Sequence, residues 1–455
     1  MNIQEQIISA INTTLKNPIY QTLQLLNIKS ILKSANFVKK REGVAPYLVV
    51  LHFVYMLVMN KKIATFMKQS NESFKKDTYY RLLSNSSYNW RKLLSLSTLK
   101  IIKLLHKVQD ASSIKVFIID DTVEGKTGKY VEGSRDGLWS NKEKRTIRGI
   151  NVVSLNYSDG YSNFMLDFAI AMGNYARVKF EEFTQEIDIR TTAYKRRLEI
   201  MEGKSKIAID MVKRALQSGI QADYLLIDSW YSKPAFLKEM NDLGLKVISR
   251  IANNNKIWNF VGREKTLNSV YEKQKNLKNA KVGKYGKKIQ FKYFSVTLEH
   301  QNAGKLKVVF IKTSENLIPI VSTDLELNDE EIIEIYKRRW DIEQGYKELR
   351  EHFGFGKEEN RIYEALIARM TLSFFVYNIV SYINRISHEP KTIGGLFKDL
   401  ECELYTLSIA MQAFIEIMEK IAQIETIVNR NEDFMNIVAT LRSTTGELLG
   451  FRCER

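Results

Sequence analysis

"IKVFIIDD", Ile114–Asp121, is a run of apolar, mostly β-branched residues that ends in two adjacent carboxylates. A short continuous apolar run of this kind reads as a strand buried on both faces. The pattern returns at "YLLIDSW", Tyr224–Trp230, where the apolar positions lead into Asp228. Between the two, "GINVVSLNYS" and "NFMLDFAIAM" read as strands, and residues around 196–218 as one long polar helix. After Asp228 come a helix from Pro234 to Leu243 and the strand "LKVISRI". The order β-β-β-α-β-α-β places the chain in the α/β class, with its later strands alternating with helices as in parallel units. One Asp at a strand end is commonly just the start of a turn. Two of them on parallel-type strands say more, because open α/β sheets place ligands at the carboxyl edge. Neighbouring carboxylates also repel, so a shared cation is the usual reason to keep them together.

A third acid lies in "YKRRWDIEQGYKELR", Tyr336–Arg350. Read as one continuous helix at 100° per residue, Tyr336, Arg339, Glu343, Lys347 and Arg350 share an arc of about 80°. Ile335, Ile342 and Leu349 form an apolar stripe beside it, by which the helix can pack. The same face also suits a solvated helix with a Glu343–Lys347 pair, which contributes only a few tenths of a kcal/mol.

Together these segments resemble the ribonuclease-H-like core of DDE transposases. The last one is similar to the Tyr–x2–Arg–x3–Glu–x6–Lys signature of bacterial insertion-sequence transposases of the IS-four type. Tyr336, Arg339 and Glu343 match in register, while Arg350 stands where the signature has Lys and Lys347 lies one turn earlier. "LLIDSWYS" resembles the segment around the family's second acid, and "FIIDDTVEGKTGK" that around its first. Asp121, directly before Thr122, is taken as the first acid, because family members often read acid-Asp-Thr. Members that read Asp-x-Thr select Asp120 instead, and strand alternation lets only one of the two face a metal.

The resemblance implies that Asp121, Asp228 and Glu343 hold two Mg2+ or Mn2+ ions for phosphoryl transfer. Tyr336, Arg339, Lys347 and Arg350 would contact double-stranded DNA. The implied activity is cut-and-paste transposition by a homodimer, acting on terminal inverted repeats and on target DNA. Two other classes remain open at this level: an inactive DNA-binding relic, and a structure-selective nuclease on the same fold.

Bulk composition agrees without deciding. The chain has 455 residues and a net charge of +17, which favours an anionic partner but also suits a Lys-rich genome. Cys402 and Cys453 are the only cysteines, and five scattered histidines offer no close ligand pair, so a thiolate or imidazole metal site is not expected. With no signal-like segment at Met1, a reducing cytoplasm is expected, with nucleoid association when DNA is bound. "YLVVLHFVYMLVM", residues 47–59, falls short of the roughly 20 apolar residues of a span and reads as a core helix, so no membrane is expected. The expected organisation is a helical DNA-binding region at 1–110 and a catalytic core at 111–254 and 326–385. A β-rich insertion at 255–325 interrupts that core, and a helical region at 386–455 offers itself for dimerisation.

Overall fold

The computed structural model describes residues 17–39, 43–69, 74–107, 113–172, 180–252, 257–260, 263–276, 280–285, 289–300 and 303–405. Residues 406–455, most of the expected C-terminal region, lie outside the described residues.

The chain begins with helices α1 (Pro18–Leu25), α2 (Ile28–Ser34), α3 (Pro46–Val58), α4 (Ile63–Gln69), α5 (Lys76–Leu83) and α6 (Trp90–Leu105). Helix α3 is the apolar run expected in the core, and every residue from Val49 to Val58 is buried. Pro46 sits in its first turn, where a missing N–H costs nothing. Strands β1 (Val116–Gly125), β2 (Arg135–Ser140), β3 (Arg145–Ser158) and β4 (Asn163–Ile170) follow. Next come α7 (Thr192–Glu199), α8 (Lys204–Gln217), β5 (Tyr224–Ile227), α9 (Pro234–Asp242) and β6 (Lys246–Arg250). The single polar helix expected around 196–218 is thus two, broken where Gly203 takes an extended conformation ahead of α8.

The second half adds β7 (Ile257–Phe260), β8 (Arg263–Thr266), α10 (Leu267–Gln274), β9 (Lys281–Tyr285), β10 (Ile289–His300), β11 (Gly304–Lys312) and β12 (Leu317–Ser322). It continues with α11 (Asp329–Lys337), α12 (Trp340–His352) and α13 (Tyr363–Ile386), and residues 393–405 are again helical. A ten-stranded sheet runs β2-β3-β1-β5-β6-β12-β11-β10-β9, with β4 paired to β3. Its centre, β4-β3-β1-β5-β6, has β3 antiparallel to β1 while β5 and β6 run parallel to it. That is the ribonuclease-H-like arrangement, in a mixed α/β protein with helices at both ends. In the β-rich segment expected at 255–325, β10 and β11 pair antiparallel, and β12 joins them to β6. The β-rich segment therefore prolongs the core sheet rather than standing apart from it.

Helix α13 packs on α1, α3, α5, α6 and β4, so the N-terminal helices share a core with a helix from far along the chain. By length and composition α13 alone among the described helices could cross a bilayer, yet 94% of its most apolar stretch is buried inside the protein. A buried ionic lattice ties the same elements together. Asp167 on β4 accepts from Arg91 of α6 and Arg214 of α8, both at 2.8 Å. Glu199 of α7 accepts from the same two arginines at 2.6 and 3.2 Å.

Candidate active site

The first acids lie where the sheet opens. Parallel pairing of β1 with β5 stops at Ile118 opposite Leu226. Strand β1 runs on to Gly125 against β3 alone, while β5 ends at Ile227. The acids are therefore not at the end of β1, as its hydrophobic run suggests, but in a fork between diverging strands. Carrying the register forward sets Asp120 opposite Asp228, the residue just past the end of β5. The fork widens into a cleft of about 580 Å³ lined by Asp120, Asp121, Asp228, Arg250, Tyr336, Arg339 and Glu343 among others.

Adjacent positions on β1 send the two aspartates to different partners. The Asp121 carboxylate accepts from Lys204 Nζ at 2.9 Å, from the first residue of α8, and from Tyr231 OH at 3.2 Å. It works as a tie between β1, α8 and the turn after β5. Asp120 instead faces Arg339, whose Nη1 lies 3.4 Å from its Oδ2, and Arg339 Nη2 donates to Glu343. Asp120 and Glu343 thus share one guanidinium. Among the described residues Arg339 bridges Asp120, and not Asp121, to Glu343.

Glu343 comes from α12, but the stretch Tyr336–Arg350 is not one helix. It breaks at Arg338 and Arg339, where the amides of Arg338, Arg339 and Asp341 bond three residues back in a tight turn. Tertiary ties hold this break: Arg338 donates to the Ile114 carbonyl and Arg339 reaches the acids. Gly345 seats α12, since a Cβ there would lie 2.6 Å from Asn163 Nδ2 and 2.8 Å from Met165 Cε. The close approach brings Tyr346 OH within 3.1 Å of the Asp120 carbonyl and 2.6 Å of Ser154 Oγ.

The break also redistributes the expected DNA-contacting arc. Tyr336 and Arg339 line the cleft, Tyr336 donating to the Ile227 carbonyl at 3.3 Å. Lys347 is exposed and lies away from it. Arg350 lines the cleft with its guanidinium committed: Nε and Nη2 donate to Glu124 at 2.9 and 2.7 Å, and Nη2 also to Thr122. It braces the far end of β1.

Burial dominates the electrostatics. It pushes the Asp120 carboxyl up to about 7, against the pull of Arg339 and with added repulsion from Asp228 and Asp121. Burial likewise raises Asp228, although the backbone N–H groups of Tyr231 and Trp230 oppose it. Tyr336 is pushed up to about 12, again chiefly by burial. Among the described residues, no three Asp, Glu, His or Cys side chains stand as a ready-made metal cage. Asp120 and Glu343 are held instead by Arg339, Asp121 by Lys204, and Asp228 by the amides of Trp230 and Tyr231.

Sequence reasoning missed Lys204, Tyr231, Tyr346 and Glu124. Tyr231, Tyr346 and Glu124 each lie three residues after an acid in a quoted segment, following Asp228, Glu343 and Asp121. Lys204 carried no such signal and meets Asp121 from 83 positions away.

No curated protein matches the chain. Among solved structures, the NurA nuclease from Sulfolobus solfataricus is similar at 11% identity and a TM-score of 0.24, over 58% of this chain and 86% of that one. That likeness is too slight to bear on mechanism. The transposase DDE domain family matches over residues 202–379, which include Asp228 and Glu343. The DDE superfamily endonuclease family matches over residues 60–287, half of the chain, which include Asp120, Asp121 and Asp228. The chain belongs to the DDE superfamily endonucleases.

Proposed function

We propose that the protein is an insertion-sequence transposase of the IS-four type. On this reading it cuts double-stranded DNA at terminal inverted repeats and joins the freed ends to target DNA. The observation that carries the proposal is the gathering of Asp120, Asp228 and Glu343, from β1, the end of β5 and α12, around one cleft lined by Arg250 and Arg339.

Carboxylate oxygens are the donors that Mg2+ and Mn2+ prefer, and the three acids suit such ions in chemistry. Two half-buried aspartates raised by desolvation are also groups that lack sufficient counter-charge. The guanidinium of Arg339 now supplies part of that charge between Asp120 and Glu343. Asp120, Asp228 and Glu343 would hold the ions, and Arg339, relieved of its carboxylates, would turn to a DNA phosphate. Bound metal supplies activation of the attacking oxygen and stabilisation of the leaving one. The chain's own contribution is positioning. Tyr346 fixes the backbone of Asp120, the Trp230 and Tyr231 amides aim Asp228, and the Arg350–Glu124 brace holds β1 beyond the fork. A homodimer bridging two ends follows from the same family reading.

The test uses linear DNA bearing the sequences that flank the gene, with a supercoiled plasmid as target. Expected are Mg2+-dependent nicks at the repeat boundary and joined products, both abolished by a chelator. Cleavage of DNA lacking repeats, without joining, would convert the reading to a structure-selective nuclease. No metal-dependent cleavage at all would overturn it.

A further inference from the structure

One wall of the acid cleft is a hairpin that the catalytic reading leaves unused. Strands β2 and β3 pair Leu138 with Ile147, Trp139 with Thr146 and Ser140 with Arg145. A register shift lies between Arg135 and Leu138, where Gly137 takes φ +72°. This is a bulge, which twists and re-aims a hairpin end. Beyond it Leu138 and Ser140 turn inward, while Trp139 is left 56% exposed. Of the exposed large hydrophobic side chains among the described residues, Trp139 alone lines the cleft. Its indole is held in place by Nε1 donating to Asn141 Oδ1 at 3.0 Å. Lys142, in the turn between the strands, lines the same wall.

The other tryptophan near the acids is differently employed. Trp230, two residues after Asp228, has ammonium groups over its ring from Lys204 at 4.4 Å and Lys233 at 4.2 Å. Among the described residues, no cation lies over the Trp139 ring. A single exposed indole among charged residues makes no protein-binding patch, which needs a cluster of apolar anchors. An immobilised aromatic face beside cations is what an unpaired nucleotide requires, stacking its base while an ammonium takes the neighbouring phosphate.

Resting on the nuclease reading above, we propose that Trp139 is the stacking platform for an unpaired base of the DNA strand held at Asp120, Asp228 and Glu343. Lys142 receives the adjoining phosphate. The preferred substrate is then DNA whose bases next to the cut are unstacked or unpaired.

The test compares duplexes of one sequence whose ends near the cut are paired or frayed by mismatches, with 2-aminopurine at the unpaired position. Affinity and fluorescence are read for the wild type, Trp139→Ala and Trp139→Phe, and thermal unfolding verifies that each variant folds. Wild type is expected to bind the frayed end more tightly and to quench the 2-aminopurine. Trp139→Ala should lose about tenfold in affinity for the frayed end, with little change for the paired one, and should lose the quench. Trp139→Phe should keep most of both. Unchanged binding and quenching in Trp139→Ala would overturn the platform, as would an equal loss on both substrates. Either result leaves the nuclease reading standing if the wild type still cleaves with Mg2+. Failure of the wild type to cleave removes that reading and the platform with it.

Discussion

Asp228→Asn and Glu343→Gln are each expected to reduce Mg2+-dependent strand cleavage by about a thousandfold or more, while DNA binding stays within a few-fold of wild type. Each change removes an anionic donor and preserves shape, so metal held jointly by the three acids is lost while the DNA surface remains. Groups that act as one unit lose nearly all their effect together, and the double variant should be little worse than either single one. Asp120→Asn should behave like them. Asp121→Asn should not, because its carboxylate serves Lys204 and Tyr231. Its loss is expected to lower the unfolding midpoint while leaving substantial cleavage. Single-turnover cleavage alongside Mn2+ binding separates the cases. Full cleavage by Asp228→Asn would end the proposed assignment, and an inactive Asp121→Asn with intact Mn2+ sites in Asp120→Asn would restore Asp121 as the first acid.

Asp167→Asn is expected to cost about 3–5 kcal/mol of stability, the usual consequence of breaking a buried ion pair from one side. The amide still fills the space, but Arg91 and Arg214 keep only Glu199 as a carboxylate partner among the described residues. Burial alone would raise the Asp167 carboxyl, and the Arg91, Arg214 and Arg196 guanidiniums overcome it, holding it down at about 2. A folded value below the unfolded one means stabilisation that is fully present above about pH 4 and lost as pH falls through 2. Denaturant titrations across that window should show a steep loss in the wild type that is blunted in the Asn variant. Equal stability of the two proteins at pH 7 would show the lattice to be dispensable.

The parallel centre of the sheet was legible because β1, β5 and β6 are nearly pure apolar runs, and such runs leave few alternatives. Helix α3 was legible for the same reason. Strand β2 was not, since only Leu138 and Ser140 turn inward beyond its bulge, and it depends on an extension of β3 for its partner. Strand β12 carries Pro319, a residue that argues against an interior strand. It is tolerated because the β6 ladder engages only Ile320 to Ser322, beyond the missing N–H. The separate partners of Asp120 and Asp121 depend on the fork between β1 and β5, which no local pattern contains. The break in Tyr336–Arg350 likewise arises from the tertiary ties of Arg338 and Arg339, where propensity favours a continuous helix. Arg350 shows the general difficulty: its charge was legible, and its partner Glu124 lies 226 positions away.

The continuity of β6 with β12 has a consequence for how the protein comes into being. Glu343 reaches the fork only after the outer strands have been laid down, and α12 and α13 follow them in the chain. A ribosome-bound chain that has emerged through β6 already possesses both aspartates and most of its positive charge-bearing scaffold, but lacks the third acid. The N-terminal helices also wait for α13 to complete their shared core. On the proposed assignment of Asp120, Asp228 and Glu343, the cutting site is therefore incomplete until the last described third of the polypeptide has been made.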